Sequence, residues 1–249
     1  MDNLAVEEPL EIRIDTRPLV ITMRTPGHDD ELAAGFLVSE GLIRTRNEVR
    51  DIRVNKRNRD GNSLDIFLAP ETSIDFQQMA RRGFVSSSCG LCGRESIESV
   101  QRKFRRVRSR ARVEASLLID LPDRLRAAQP AFEQTGGLHA AGLFTREGKL
   151  LVAREDIGRH NAVDKVIGHG VLNNLLPFDQ HILMVSGRAS FEIMQKSLSA
   201  QIPVVCAVSA PSSLAVEFAK KSGQTLIGFL RAPRMNIYTS RHRVHFSSK

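Results

Sequence analysis

Two cysteines separated by two residues, Cys89 and Cys92, lie in the run Ser86-Ser87-Ser88-Cys89-Gly90-Leu91-Cys92-Gly93. A glycine follows each cysteine, and serines precede the first. Glycine loses the most entropy on ordering and serine favours turns, so the run reads as exposed and mobile. The polar stretch Arg94-Glu95-Ser96-Ile97-Glu98-Ser99 reads as the first turns of a helix, with Cys92 at or just before its N-terminus. A thiol titrates near about 8.5 when unperturbed, and a helix N-terminus or a nearby cation lowers that value. Arg81, Arg82 and Arg94 are the cations close in sequence.

Three chemistries compete for this pair. Zinc needs two further ligands, and only Cys206 and seven scattered histidines remain, without a second C-x-x-C or an H-x-x-x-H, so no metal site is expected. A thioredoxin-type pair wants a core strand feeding the motif, and Phe84-Val85-Ser86 is short for one. The third is a mobile nucleophilic thiol that passes a group between proteins. Cys206, inside Val204-Val205-Cys206-Ala207-Val208, reads instead as buried and inert.

Other clusters could bind anions or move protons. Ser186-Gly187-Arg188-Ala189-Ser190 and Ser209-Ala210-Pro211-Ser212-Ser213 each leave an apolar strand and open a helix. In open α/β sheets ligands bind beyond the carboxyl ends of strands, near helix N-termini. Gly187 lets a backbone approach closely, and Arg188 offers a guanidinium fork for phosphate or carboxylate. Arg154 to Lys165 is dense in polar side chains. There His160 could act as acid or base with Asp156 or Asp164 orienting it, or the stretch could be a helix start capped by Asn161 with surface ion pairs. Phe229-Leu230-Arg231-Ala232-Pro233-Arg234 leaves a core strand with arginines flanking a proline, an anion clamp or a polar exit from the sheet.

These groups need elements to hold them. Glu11–Asp15 and Leu19–Met23 read as short strands around the turn Thr16-Arg17-Pro18, followed by a helix from Asp29 or Asp30 to Gly41. Val49–Val54 and Leu64–Leu68 flank Arg59-Asp60-Gly61-Asn62 as a hairpin. Residues 94–106 read as helical, and after Pro122 a helix runs from Arg124 to Ala131. From Gly136 strand and helix alternate: strands at Leu138–Phe144, Lys149–Arg154, Ile182–Ser186, Val204–Val208 and Leu226–Leu230; helices at Asn161–Ile167, Phe191–Ala200 and Leu214–Lys221. Apolar strands alternating with helices predict βαβ units and a largely parallel sheet covered on both faces. The expected organisation is a smaller N-terminal α+β part, residues 1–112, carrying the cysteines, and an α/β part, residues 113–249, for ligand binding.

The chain of 249 residues is 41% hydrophobic, enough for a sizeable core. No apolar run approaches the roughly 20 residues of a membrane span, and the acidic start Met1 to Glu8 has no signal-peptide pattern. A cytoplasmic protein with reduced thiols is the expectation. The formal charge is +8, much of it in Arg102–Arg112. That run could face nucleic acid, a phosphate-bearing cofactor, an acidic protein or only solvent. With no tryptophan and one tyrosine, Tyr238, stacking on bases is poorly supplied and nucleic acid is not the expected partner.

Together these residues resemble the FdhD/NarQ family of formate dehydrogenase accessory sulfurtransferases over nearly the whole chain. The resemblance rests on Glu7-Glu8-Pro9-Leu10, Met23–Gly27, Glu31–Leu37, Ser88–Gly93, Thr135–Ala141, Glu155–Lys165, Ser186–Glu192 and Val208–Ala215. It implies sulfur taken as a persulfide from a cysteine desulfurase and passed to the molybdenum bis(molybdopterin guanine dinucleotide) cofactor that formate dehydrogenase uses. Cys89 would carry the persulfide and Cys92 would resolve or assist. Phe229, Leu230, Arg231, Ala232, Pro233 and Arg234 would belong to the cofactor-binding surface, with a guanine nucleotide such as GDP as a mimic. The implied fold is a cytidine-deaminase-like mixed sheet covered by helices. Deaminase chemistry itself is not expected, since His139-Ala140-Ala141 lacks the glutamate of H-x-E and Ser88 precedes Cys89 where a proline belongs. A homodimer is expected.

Overall fold

Leu10, Ile12 and Ile14 alternate with polar residues and are fully buried, which defines β1 (Glu8–Ile14) and its inward face. A computed structural model describes residues 2–55, 61–74, 76, 100 and 103–246. Cys89, Cys92 and residues 94–99, 101 and 102 of the helix expected over 94–106 lie outside the described residues. Arg105 and Arg106, at the end of that expected helix, are not helical, because the backbone there bonds to other loops: the Arg105 carbonyl accepts from Gln201 Nε2 and Val107 N–H donates to the Ser222 carbonyl.

β1 pairs antiparallel with β2 (Arg17–Arg24) and parallel with β4 (Ser63–Leu68). β3 (Val49–Val54) completes the order β2-β1-β4-β3 as the antiparallel partner of β4, the expected hairpin. The first turn differs from the expectation. Asp15 and Thr16 form it, at φ 46° and 68°, and Arg17 already belongs to β2. Two consecutive left-handed residues match the twist of the flanking strands, so the tighter turn wins. Helix α1 (Asp29–Ser39) follows, with Asp29, Asp30 and Glu31 in its first turn. That placement suits the helix dipole.

β5 (Val113–Glu114) leads into α2 (Ala115–Arg126), which runs through Pro122, and a short α3 spans Pro130–Thr135. The helix expected to start only at Arg124 therefore begins nine residues earlier. Leu118, Leu121 and Leu125 are buried along one side of α2. Burying each is worth roughly 1.5–3 kcal/mol, which outweighs the roughly 3 kcal/mol an interior proline costs.

The large sheet has the order β11-β10-β9-β8-β6-β7. Its strands are β6 (His139–Thr145), β7 (Leu150–Asp156), β8 (His181–Val185), β9 (Val204–Ala207), β10 (Thr225–Arg231) and β11 (Arg234–Ile237). It is mixed and not largely parallel. β8, β9 and β10 run parallel, whereas β6 is antiparallel to both β7 and β8, and β10 to β11. The reason is local: four residues join β6 to β7, enough for a hairpin and far too few for a crossover. The crossovers are α4 (Arg159–Leu172), α5 (Phe191–Ser199) and α6 (Ser213–Ser222).

Alternate strand residues feed two cores. Leu143, Val185, Val205 and Leu226 join α1, α4, α5, α6 and the buried residues of the four-stranded sheet. Phe144, Ile182, Met184, Val204, Cys206 and Ile227 pack against Leu118, Leu121 and Leu125 of α2. Cys206 is 0% exposed and burial pushes its thiol far up, so it is the inert cysteine its surroundings predicted. A last short strand, β12 (Val244–His245), pairs in parallel with β5. No described helix is long and apolar enough to cross a membrane.

Candidate ligand crevice at the strand ends

The carboxyl ends of β7, β8, β9 and β10 and the start of β6 meet on one edge, because β6 runs opposite to the others it lies between. The loops leaving β8, β9 and β10 are tied together there. Ala189 N–H donates to the Ala210 carbonyl at 3.2 Å, Ser212 N–H to Ala189 at 3.0 Å, and Phe229 N–H to Ser209 at 3.1 Å. Ser190 and Ser212 cap α5 and α6, accepting from Ile193 N at 3.4 Å and Ala215 N at 3.2 Å. The two strand-to-helix junctions singled out in the sequence are thus one continuous rim.

At the β6–β8 side the rim is cationic. A Cβ on Gly187 would lie 3.3 Å from His139 Nδ1 and 3.8 Å from Arg159 Cδ, so the loop passes close against the imidazole and the Arg159 stem. Arg188 is exposed beside them. Among the described residues, Arg159 Nε is buried with no hydrogen-bond partner. A buried donor left without a partner is costly, so an acceptor from a ligand would satisfy it. The His139 pKa is lowered, first by burial and then by Arg159, His160 and Arg188, against an opposing pull from Asp156. A neutral imidazole beside two arginines makes a donor and acceptor for an anion already drawn in by them.

His160 Nε2 lies 2.8 Å from Glu192 Oε2 and 3.1 Å from Ser190 Oγ. Neither aspartate proposed from the sequence orients it. Asp156 is fully buried, where it accepts from Lys165 Nζ at 2.7 Å, Gly158 N at 2.8 Å, Asn161 Nδ2 at 3.0 Å and Thr25 N at 3.2 Å. Asp164 instead takes Ser39 Oγ at 2.6 Å and Lys196 Nζ at 2.7 Å. Asp156 therefore builds the start of α4, and Glu192 partners the histidine.

The Phe229–Arg234 segment divides by direction. Phe229 is exposed at φ 50°, held against Ser209. Leu230 is fully buried in the second core, so its side chain cannot reach a ligand on the rim. Arg231 and Arg234 face each other across the β10–β11 hairpin, with Ala232 and the cis Pro233 exposed at its tip. Pro233 and Arg234 line a groove of about 460 Å³ with Ala115, Ser116, Ile119 and Phe246. Gly187 and Arg188 reach the Phe229 end of this segment through Ser209–Pro211, so the edge gathers two of the sequence's anion-binding candidates.

Comparison with known proteins decides the family. Residues 5–245 match the FdhD/NarQ family. The chain belongs to the FdhD/NarQ family. It is 51% identical over 98% of its length, and 89% of the relative's, to the Sulfur carrier protein FdhD of Streptomyces avermitilis. The protein of that name from Mycobacterium tuberculosis is 48% identical, covering 98% of this chain and 92% of its own. A crystal structure of a formate dehydrogenase accessory protein from Desulfotalea psychrophila superposes with a TM-score of 0.77 at 25% identity, over 98% of this chain and 91% of that one.

The histidines of the fold give a pH prediction. His139 and His181 both have lowered pKa values, burial being the first cause for each. A depressed imidazole favours the neutral form in the folded state, while the unfolded chain takes up a proton near about 6.5. Their contribution is complete above that pH and is lost as pH falls through it toward the folded values. Urea midpoints should therefore drop between pH 7.5 and pH 5.5. His139→Gln and His181→Gln should each flatten that drop, and an unchanged slope in both would rule the histidines out as its source.

Proposed function

We propose that this FdhD/NarQ protein is a sulfur carrier. Cys89 takes persulfide sulfur from a cysteine desulfurase, and the sulfur goes to the molybdenum bis(molybdopterin guanine dinucleotide) cofactor that formate dehydrogenase requires. The observation that carries this reading is the Cys89–Cys92 pair in a chain about half identical to proteins named sulfur carriers over nearly its whole length. In loading, the Cys89 thiolate attacks the outer sulfur of the donor's persulfide. The donor S–S bond breaks, the donor leaves as thiolate, and Cys89 holds the S–SH. In unloading, the Cys92 thiolate attacks the inner sulfur of Cys89 and expels hydrosulfide. A Cys89–Cys92 disulfide remains, and a thiol reductant resets it.

The phosphate-rich acceptor is read onto the strand-end rim, with Gly187, Arg188, Arg159 and His139 at one side and Phe229 to Arg234 at the other. Leu230 supports that segment from the core and does not touch the ligand. GDP would mimic the guanine end. The cytidine-deaminase-like reading of the fold draws support from the hairpin β6–β7 followed by three parallel strands. Formate dehydrogenase and the desulfurase are the proposed partners, with a homodimer as the working assembly.

Incubation with a cysteine desulfurase and cysteine should add one sulfur atom to the intact protein, removable by a thiol and absent in Cys89→Ala. No gain, or a gain that survives Cys89→Ala, rejects the carrier mechanism. The cationic rim of the described crevice favours a second reading, a chaperone that delivers the cofactor untouched. That reading requires Cys89→Ala to support formate dehydrogenase activity while Arg231→Ala does not.

A further inference from the structure

The basic run of the sequence forms an ordered strap on the edge opposite the crevice. Arg105 to Arg112 crosses the starts of the three parallel strands. The Arg105 carbonyl accepts from Gln201 Nε2 at 2.9 Å, just before β9. Val107 N–H donates to the Ser222 carbonyl at 2.9 Å, just before β10. Ser109 Oγ donates to the Asp179 carbonyl, just before β8. From below, Arg243 donates through Nε to the Ser109 carbonyl at 3.3 Å and through Nη1 to Gly223 at 2.8 Å. The strap is extended and alternates. Val107, Ala111 and Val113 are buried, while Arg106, Arg108, Arg110 and Arg112 are exposed. Arg105 is exposed beside them, and Arg105, Arg106, Arg108, Asp179 and Gln201 line a cavity of about 590 Å³. Among the described residues, none of these five arginines has an ion-pair partner.

We propose that this arginine strap is the docking face for an acidic, extended segment on the protein that donates sulfur. The inference rests on the sulfur-carrier reading and names the surface that reading leaves unassigned. Two-residue spacing along an extended chain places the guanidinium groups at intervals of about 6.6 Å, the interval of alternate side chains on an extended acidic partner. The backbone ties hold this row in place before binding, so little ordering entropy is lost on docking. The position separates donor from acceptor. β8 is five residues long, so roughly 16 Å of sheet lies between strap and crevice, and both can be occupied at once. In sequence the strap follows the cysteine pair closely, with 12 residues between Cys92 and Arg105. A nucleic acid fits less well, because the chain has no tryptophan and one tyrosine for stacking.

The test compares wild type with Arg106→Glu/Arg108→Glu/Arg110→Glu and with the glutamine version of the same triple. Association with a purified cysteine desulfurase is followed at low and high salt. At low salt the glutamate triple should bind roughly 10- to 100-fold more weakly, mainly through a slower association rate. The glutamine triple should fall between, and the differences should shrink to within about threefold at high salt. A synthetic peptide of alternating glutamate and serine should compete for wild type only. Loading of Cys89 by inorganic polysulfide should be equal in all three proteins, which shows that they are folded and reactive. Donor binding that ignores the substitutions overturns the docking face. If wild type still gains its sulfur in that case, the carrier reading survives. Strap-dependent donor binding without any sulfur gain has the reverse meaning. Arginine-dependent capture of a single-stranded oligonucleotide, with donor binding unaffected, would assign the strap to nucleic acid and overturn the proposal.

Discussion

Lys165→Met should destabilise the protein by about 3–5 kcal/mol, the usual cost of removing one partner from a buried ion pair. Lys165 is 1% exposed and Asp156 0%, and their charged atoms are 2.7 Å apart. The ammonium also donates to the Thr25 carbonyl at 2.9 Å and to Glu155 at 3.3 Å, so the substitution leaves a carboxylate and two carbonyls short of a donor in one place. For a domain of this size the melting temperature should fall by roughly 6–20 °C. Asp156→Asn tests the same pair from the other side. The double variant should lose less than the sum of the singles by at least about 1 kcal/mol, because one unpaired charge is removed with the other. Strict additivity would mean that the pair is not coupled. Asp156 also holds Gly158 N and Asn161 Nδ2, which set the first turn of α4 with Arg159 and His160. A loosened pair should therefore weaken the crevice as well as the fold, seen as poorer GDP binding at temperatures where the variant is still folded.

The sequence made some of this legible because burial leaves a period. β1 alternates cleanly, and Val204 to Ala207 is apolar on both faces as a central strand must be. The serines before α5 and α6 announce their caps. Strand direction was not legible in the same way. An apolar strand covered on both faces reads alike whichever way it runs, and only the four-residue turn at Arg146 to Lys149 held the signal that β6 and β7 form a hairpin. Proline in α2 misled for the opposite reason: a local rule was outweighed by three leucines whose burial depends on the rest of the fold.

The crevice shows the same division. Gly187 and Arg188 stood out because glycine and arginine after a strand have a local meaning. His139 did not, since it reaches Gly187 only through the antiparallel pairing of β6 with β8. Glu192 lies on α5 and His160 on α4, so proximity in sequence favoured Asp156 and Asp164 over the true partner. The usable signal was joint: Glu155–Lys165 and Ser186–Glu192 are both part of the family resemblance, and blocks shared in that way tend to face one site. Cys89 and Cys92 were legible as chemistry from spacing and neighbours, and they lie outside the described residues.

Gly35→Ala and Gly168→Ala should each cost about 3 kcal/mol or more, at the upper end of what overpacking does. The two glycines sit at the contact of α1 with α4. A Cβ on Gly35 would lie 1.8 Å from the Asp164 carbonyl oxygen, and one on Gly168 would lie 1.7 Å from that of Glu31. Both obstacles are backbone, so no side chain can rotate away and the helices must separate. Separation would strain the polar pairs on either side of the contact. Glu31 holds Arg154 and His169 at one side, and Ser39, Asp164 and Lys196 form a buried chain at the other. It would also open the first core, to which α1 brings Leu32, Ala33, Ala34 and Leu37 and α4 brings Ala162, Val163, Val166 and Ile167. The loss should therefore exceed that of an alanine placed at Gly61, where a Cβ meets none of the described residues within 4 Å but the backbone is left-handed at φ +72°. That position isolates the conformational cost of replacing a glycine, about 1 kcal/mol or somewhat more. Urea unfolding of the three variants separates the effects. If Gly168→Ala were no worse than Gly61→Ala, the close approach of α1 and α4 would not be what joins the cysteine-bearing N-terminal half to the crevice.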